Sequence, residues 1–159
     1  MRNCIQNGND WLYNTIGSGY ASAKPSGNTP VGAATVPLAF ANELRDVTES
    51  YDTATGRFIA KSAGVVRVSV TLNVTFATGS PASTVQFLRD DTGGTTYATL
   101  GIMPLTFSGA TNGFVNATFE IPVSKGAAVL LRYSAPAFAT DAQTIIAAYS
   151  SVSFEMLQS

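Results

Sequence analysis

Asp90 and Asp91 stand side by side ahead of Gly93 and Gly94, and they are the one adjacent acidic pair in the chain. Two carboxylates before a glycine turn could form a weak calcium loop. Calcium takes six or more oxygen ligands, and no other acidic residue lies near in sequence, so the expectation is a solvated hairpin tip. The chain has no histidine, which removes His-based triads, His-ligated metals and the commonest general base. Cys4 is the single cysteine, which leaves neither an intrachain disulfide nor a multi-cysteine metal site. Gly93-Gly94 lacks the lysine and the following helix of a phosphate-cradling loop. Asn73-Val74-Thr75 and Asn116-Ala117-Thr118 match the glycosylation acceptor pattern, but with no export signal ahead of them they read as ordinary strand residues. No catalytic residue, metal ligand or cofactor is expected. The chain reads as a protein that assembles and binds.

Composition supports that reading. Only 12% of the 159 residues are charged, about half the share in an average globular domain, so Thr, Ser, Asn and Gly must supply the polar surface. From Gly101 to Ser159 there are five charged residues, Glu120, Lys125, Arg132, Asp141 and Glu155. A surface so poor in charge favours association, and part of it is expected to be covered by other chains. The formal net charge is −1, with basic and acidic residues scattered. This excludes the clustered cations that release counterions from phosphates, so nucleic acid is not an expected partner. No segment has the apolar length of a membrane span, and Met1 to Tyr20 is interrupted by Asn3, Gln6, Asn7, Asn9 and Asp10 where a signal peptide would need an apolar run.

Two regions are expected. Residues 1–33 are punctuated by Gly8, Gly17, Gly19, Pro25, Gly27, Pro30 and Gly32 and hold no lasting period, which reads as an N-terminal arm. Its one apolar cluster, Trp11, Leu12, Tyr13 and Ile16, is the candidate anchor. Residues 34–159 read as strands. Val66, Val68, Val70, Leu72, Val74 and Phe76 alternate with Arg67, Ser69, Thr71, Asn73 and Thr75, which separates an apolar face from a polar one. Further strands are expected at 35–41, 57–60, 84–89, 95–102, 114–121, 127–133 and 144–157. Turn clusters fall between them at Thr53 to Gly56, Gly79 to Pro81, Asp91 to Gly94, Ser108-Gly109, Asn112-Gly113 and Ser124 to Gly126. About eight strands without helices imply an all-β, antiparallel two-sheet jelly-roll sandwich.

The run Tyr51-Asp52-Thr53-Ala54-Thr55-Gly56-Arg57-Phe58, followed by Ser62-Ala63-Gly64 and the Val65 to Val70 strand, resembles the complement C1q-like branch of the tumour-necrosis-factor-like superfamily. Val123 to Gly126 looks like that family's Lys-Gly-Asp turn, and Ser151 to Leu157 like its closing strand. The resemblance spans residues 36–157. Val66 and Val68 replace the usual aromatics, Ala127 stands where an acidic residue is expected, and Glu155 stands near the last glycine. These departures leave fold and assembly as what the resemblance implies, without a calcium or ligand site. It implies a homotrimer of jelly rolls packed edge to face, the last strand near the threefold axis. Tyr149, Val152, Phe154, Met156 and Leu157 are the candidate interface, with filling of the protomer core as the alternative; both can hold, because Val152, Phe154 and Met156 face one way and Ser153, Glu155 and Leu157 the other.

Low charge, richness in Thr, Ala, Gly and Ser, an arm and a trimeric jelly roll match the profile of virion proteins of tailed bacteriophages. The expected role is a capsid decoration or cement protein. It would be assembled in the host cytoplasm, held on the major capsid protein by the arm, and displayed on the exterior of the particle. A receptor-binding fibre head for host surface glycan or protein is the alternative; no aromatic platform stands out in the turns, and Tyr97, Phe107 and Phe138, in or beside candidate loops, read as core or interface aromatics before they read as candidate platforms. A shaft of heptads, collagen or β-helical repeats would favour it, and residues 1–33 contain none. A third alternative is a C1q-like binding module of a longer secreted protein.

Overall fold

The computed structural model of the chain describes residues 19–31, 35–76, 82–92, 96–107, 111–135 and 143–157. The Val66 to Phe76 alternation becomes the longest strand, β7 (Gly64–Phe76), counted after β1 (Tyr20–Lys24), β2 (Thr29–Val31), β3 (Thr35–Pro37), β4 (Asn42–Asp46), β5 (Tyr51–Asp52) and β6 (Arg57–Ile59). It is followed by β8 (Thr84–Asp90), β9 (Ala98–Pro104), β10 (Thr106–Phe107), β11 (Asn112–Val123), β12 (Ala128–Ser134), β13 (Gln143–Ile145) and β14 (Ser151–Leu157). The first sheet runs β10-β11-β7-β14-β1-β4, with β13 also on β7 and β2 on β13. The second runs β5-β6-β12-β8-β9, with β3 on β12. Every pairing among these strands is antiparallel. The sandwich expected from the alternation is therefore present. No helix among the described residues is long and apolar enough to cross a membrane.

The two sheets bury one core. Val66, Val68, Val70, Leu72, Val74 and Phe76 all point into it from β7 and meet Val85, Phe87, Val129, Leu131 and Tyr133 of the second sheet. Roughly 25 cal/mol per Å² of apolar surface removed from water makes this alternation the main source of stability. One buried polar link crosses the same core. The Tyr133 hydroxyl donates to Gln143 Oε1, which also accepts from Ser83 Oγ at 3.2 Å. Gln143 sits on the first sheet and Tyr133 on the second, so the link ties the layers together. Burial pushes the Tyr133 phenol up to about 12, against a smaller opposing effect of Ser83. Tyr133→Phe should lower unfolding free energy by about 1 kcal/mol, because a neutral buried hydrogen bond is lost while the ring stays; urea titration checks this.

Part of the expected arm is sheet. Residues 1–33 were to lie outside the sandwich, yet β1 pairs with β14 through Tyr20↔Glu155 to Ala23↔Val152 and with β4 on its other side. β2 pairs with β13. The inward residues of β1 are Ala21 and Ala23, too small to raise an apolar signal among the surrounding glycines and prolines. Trp11, Leu12, Tyr13 and Ile16, like Cys4, lie outside the described residues.

Two other expectations change. The 144–157 strand is two strands separated by a 3₁₀ turn at Ala147–Tyr149. Ser150 Oγ accepts from the Asn73 amide at 3.1 Å and the Ile146 amide donates to the Asn73 carbonyl at 2.9 Å, so both ends of the break are held on β7. Asn112 and Gly113 are strand residues, not a turn. A Cβ on Gly113 would lie 3.0 Å from Leu105 Cδ2 and from the Phe76 ring, so close packing explains this glycine. The 79–81 and 108–109 turns lie outside the described residues.

Candidate assembly and binding surfaces

The Tyr51 to Phe58 run builds a fastener rather than a ligand loop. Asp52 accepts from the Ala54 amide at 2.9 Å and the Thr55 hydroxyl at 2.6 Å, and these bonds hold its carboxyl below the usual carboxylate range. The Gly56 amide closes the turn on the Asp52 carbonyl at 2.8 Å, with Gly56 at φ +71. Tyr51 is buried; its hydroxyl accepts from the Phe40 amide at 3.1 Å, and burial raises its pKa. Phe58 stacks on Phe154 at 5.1 Å, and Tyr51 meets the same ring at 5.5 Å. The turn thus pins the 38–40 segment and joins both sheets at Phe154.

Asp90 and Asp91 part company. Asp90 is buried, and its Oδ1 accepts from the Thr92 amide and hydroxyl at 2.8 and 2.6 Å, which lowers its pKa. Asp91 pairs with Arg89 at 2.9 Å. Among the described residues no three His, Cys, Asp or Glu side chains gather as a metal site would require.

The outer face of the first sheet is uncharged across its β14-β7-β11 centre. Its centre carries Ser69, Thr71 and Asn73 of β7 beside Asn116 and Thr118 of β11 and Ser151 and Ser153 of β14. Ser69 and Thr118 share a hydroxyl hydrogen bond of 3.1 Å. Charge flanks this centre: on the β1–β4 side Lys24 is exposed and Arg45 lies over the Tyr20 ring, and at one end Arg67 reaches Glu120 at 2.9 Å and Glu155 at 3.4 Å. The Glu120 bond is the main reason the guanidinium pKa rises. At the other end Asn73, Thr75, Phe114, Ile146 and Tyr149 line a shallow depression of about 510 Å³. Tyr149 is 68% exposed and Phe114 41%. On the free edge of the second sheet, β9 exposes Ile102 and Met103.

This divides the five candidate interface residues. Val152, Phe154 and Met156 are at most 2% exposed and fill the protomer's own core, because alternation along β14 turns them inward. They cannot also meet a neighbour. Tyr149 is fully available, and Leu157 is half-buried on the outward side. Sequence reasoning missed Phe114, Ile102 and Met103, whose exposure depends on strand register and on the place of β9 at the sheet edge. Of the candidate platforms, Tyr97 lies over the outer face of the second sheet near Arg57 and Arg132. Phe107 falls in β10, and Phe138 lies outside the described residues.

No protein-family model matches the sequence, and none of the curated proteins does. Solved structures match its fold. The globular domain of zebrafish complement 1qA superposes with a TM-score of 0.63 at 12% identity, covering 88% of this chain and 97% of that one. Eiger TNF from S. frugiperda gives 0.58 at 14% identity over 88% and 91% of the two chains. Murine APRIL gives 0.55 at 11% identity over 87% and 98%. The chain has the jelly-roll fold of C1q- and TNF-type domains.

Proposed function

We propose that this chain is a non-enzymatic structural module that assembles as a homotrimer, packing the β9 edge of one protomer onto the outer face of the first sheet of the next. The observation that carries the reading is the β14-β7-β11 centre of that face: uncharged, and bounded by exposed Phe114 and Tyr149. Depletion of charge with exposed aromatics is the composition of an interface core, and a monomer rarely leaves so many such residues in water. Ile102 and Met103 supply the apolar edge for a contact that repeats around a closed ring. Threefold closure follows the C1q-like resemblance.

At a finer level we assign the trimer to the exterior of a virion as a capsid decoration protein. Residues 1–18, with Trp11, Leu12, Tyr13 and Ile16, would serve as the arm that grips the major capsid protein. Low charge and the apolar cluster of this segment support this placement. The receptor-binding alternative draws support from the Tyr97 region.

Sedimentation velocity tests the assembly. The wild-type chain should sediment as three protomers, and Thr71→Arg and Ile102→Asp should each yield folded monomers. Thr71 and Ile102 are exposed in the protomer, so the changes spare its core, while an unpaired charge within an interface costs several kcal/mol. A wild-type monomer would overturn the trimer. For the arm, deletion of residues 1–18 should leave the trimer intact and abolish binding to particles; unchanged binding would refute the anchor.

A further inference from the structure

On the opposite side of the molecule, the outer face of the second sheet carries an open cavity of about 480 Å³. Its floor is Leu130, which points away from the core yet is only 3% exposed. Pro37 and Thr55 flank it, and Arg57, Tyr97 and Arg132 complete the wall. β12 places Leu130 and Arg132 two residues apart and hence on one face, while Arg57 comes from β6. Tyr97 arrives from the segment before β9, 35 positions ahead of Arg132 in the sequence.

The arrangement places two guanidinium groups against one aromatic ring. Arg132 Cζ is 5.3 Å and Arg57 Cζ 6.0 Å from the Tyr97 centroid. Among the described residues no carboxylate lines the cavity. Arg57 has partners of its own beside the cavity, with Asp52 and Asp90 close enough to feel its charge, so the cation offered to a ligand is Arg132. Arg132 makes no ion pair among the described residues.

We propose that this cavity binds a carboxylate-bearing sugar, with the Arg132 fork on the carboxylate and the Tyr97 ring under the apolar C–H face of the pyranose. A guanidinium meets a carboxylate through two parallel N–H···O bonds, a geometry lysine cannot copy. An aromatic ring beside it offers a flat apolar platform with low conformational cost. The volume lies within the roughly 300–1,000 Å³ of small-molecule sites. A sugar suits the site better than an extended acidic peptide. The cavity lies over the face of the sheet, where β12 is paired with β6 and β3 on one side and β8 on the other, so β12 beneath the cavity has no open ladder for an extended peptide.

The test uses the full-length chain and titrates methyl glucuronide, following tyrosine and arginine side-chain NMR signals. Methyl glucoside supplies the ring without the acid, acetate the acid without the ring, and a Glu-rich peptide the peptide alternative. Methyl glucuronide should bind and shift Tyr97, with both fragments weaker by about tenfold or more. Arg132→Gln should weaken it about tenfold, Arg132→Lys should restore only part of the loss, and Tyr97→Ala should remove the shift while the fold and oligomeric state stay unchanged. Uronide binding indifferent to Arg132→Gln and Tyr97→Ala would overturn the proposal. So would equal binding of acetate, no binding at millimolar concentration, or a Glu-rich peptide that binds the cavity while the uronide does not.

Discussion

Gly56→Ala is expected to destabilise the protein by about 3 kcal/mol or more, the sum of a backbone penalty and a collision. Gly56 holds φ +71, in the left-handed region where an L-residue pays roughly 1–2 kcal/mol. A Cβ there would lie 2.5 Å from the Leu38 carbonyl oxygen and 3.0 Å from Ala39 Cα. Both neighbours are backbone, so no rotamer change relieves the contact. The 38–40 segment would have to move, although it is held by the Leu38 amide on the Leu131 carbonyl at 2.9 Å and the Phe40 amide on Tyr51. Thermal melting followed by circular dichroism checks this. Gly126→Ala is the control: it also has a positive φ of +87, but no atom lies within 4 Å of its added Cβ, so it should lose only the backbone share. Equal losses at the two sites would mean that the approach to Leu38 is not what Gly56 provides.

Phe154→Ala is expected to cost about 3–5 kcal/mol, within the range for removing a buried aromatic ring. Phe154 is 1% exposed, stacks within 8° of parallel on Phe58 and touches Tyr51. Its removal would empty the point where the first sheet, the second sheet and the Tyr51 to Phe58 turn meet. For a domain of this size the melting temperature should fall by on the order of 10 °C. The same substitution distinguishes a core role from an interface role. A core residue lowers protomer stability at every concentration. An interface residue would lower the melting temperature of the assembled state and leave the dissociated protomer as stable as before. Melting at two widely separated concentrations, in the Thr71→Arg background, reads the difference directly.

These two positions show how unevenly the sequence could be read. The Tyr51 to Phe58 turn was legible because its parts are local: Asp52, Thr55 and Gly56 are close enough to bond one another before any tertiary contact exists. Phe154 was legible as a strand residue but not as a core residue. β14 offers Val152, Phe154 and Met156 on one side and Ser153, Glu155 and Leu157 on the other, and alternation alone does not say which side meets the second sheet. β1 was missed because Ala21 and Ala23 are small and Gly19 precedes them. A Cβ on Gly19 would lie 3.0 Å from the Met156 side chain, a packing demand that leaves no periodic mark.

The all-β class, the inward set on β7 and the absence of histidine follow from the chain read residue by residue. Backbone geometry imposes a period of two on any extended segment, and that period is visible wherever large apolar and polar residues take turns. Contacts between distant segments settled the rest. Pairing of β1 with β14 across the length of the chain turned an expected arm into sheet. Packing of one sheet on the other sent Phe154 inward and left Phe114 and Tyr149 in water. Arg57, Tyr97 and Arg132 share no spacing and no motif. They meet because three different segments cross the same patch of the second sheet, and a linear pattern carries no record of such a crossing.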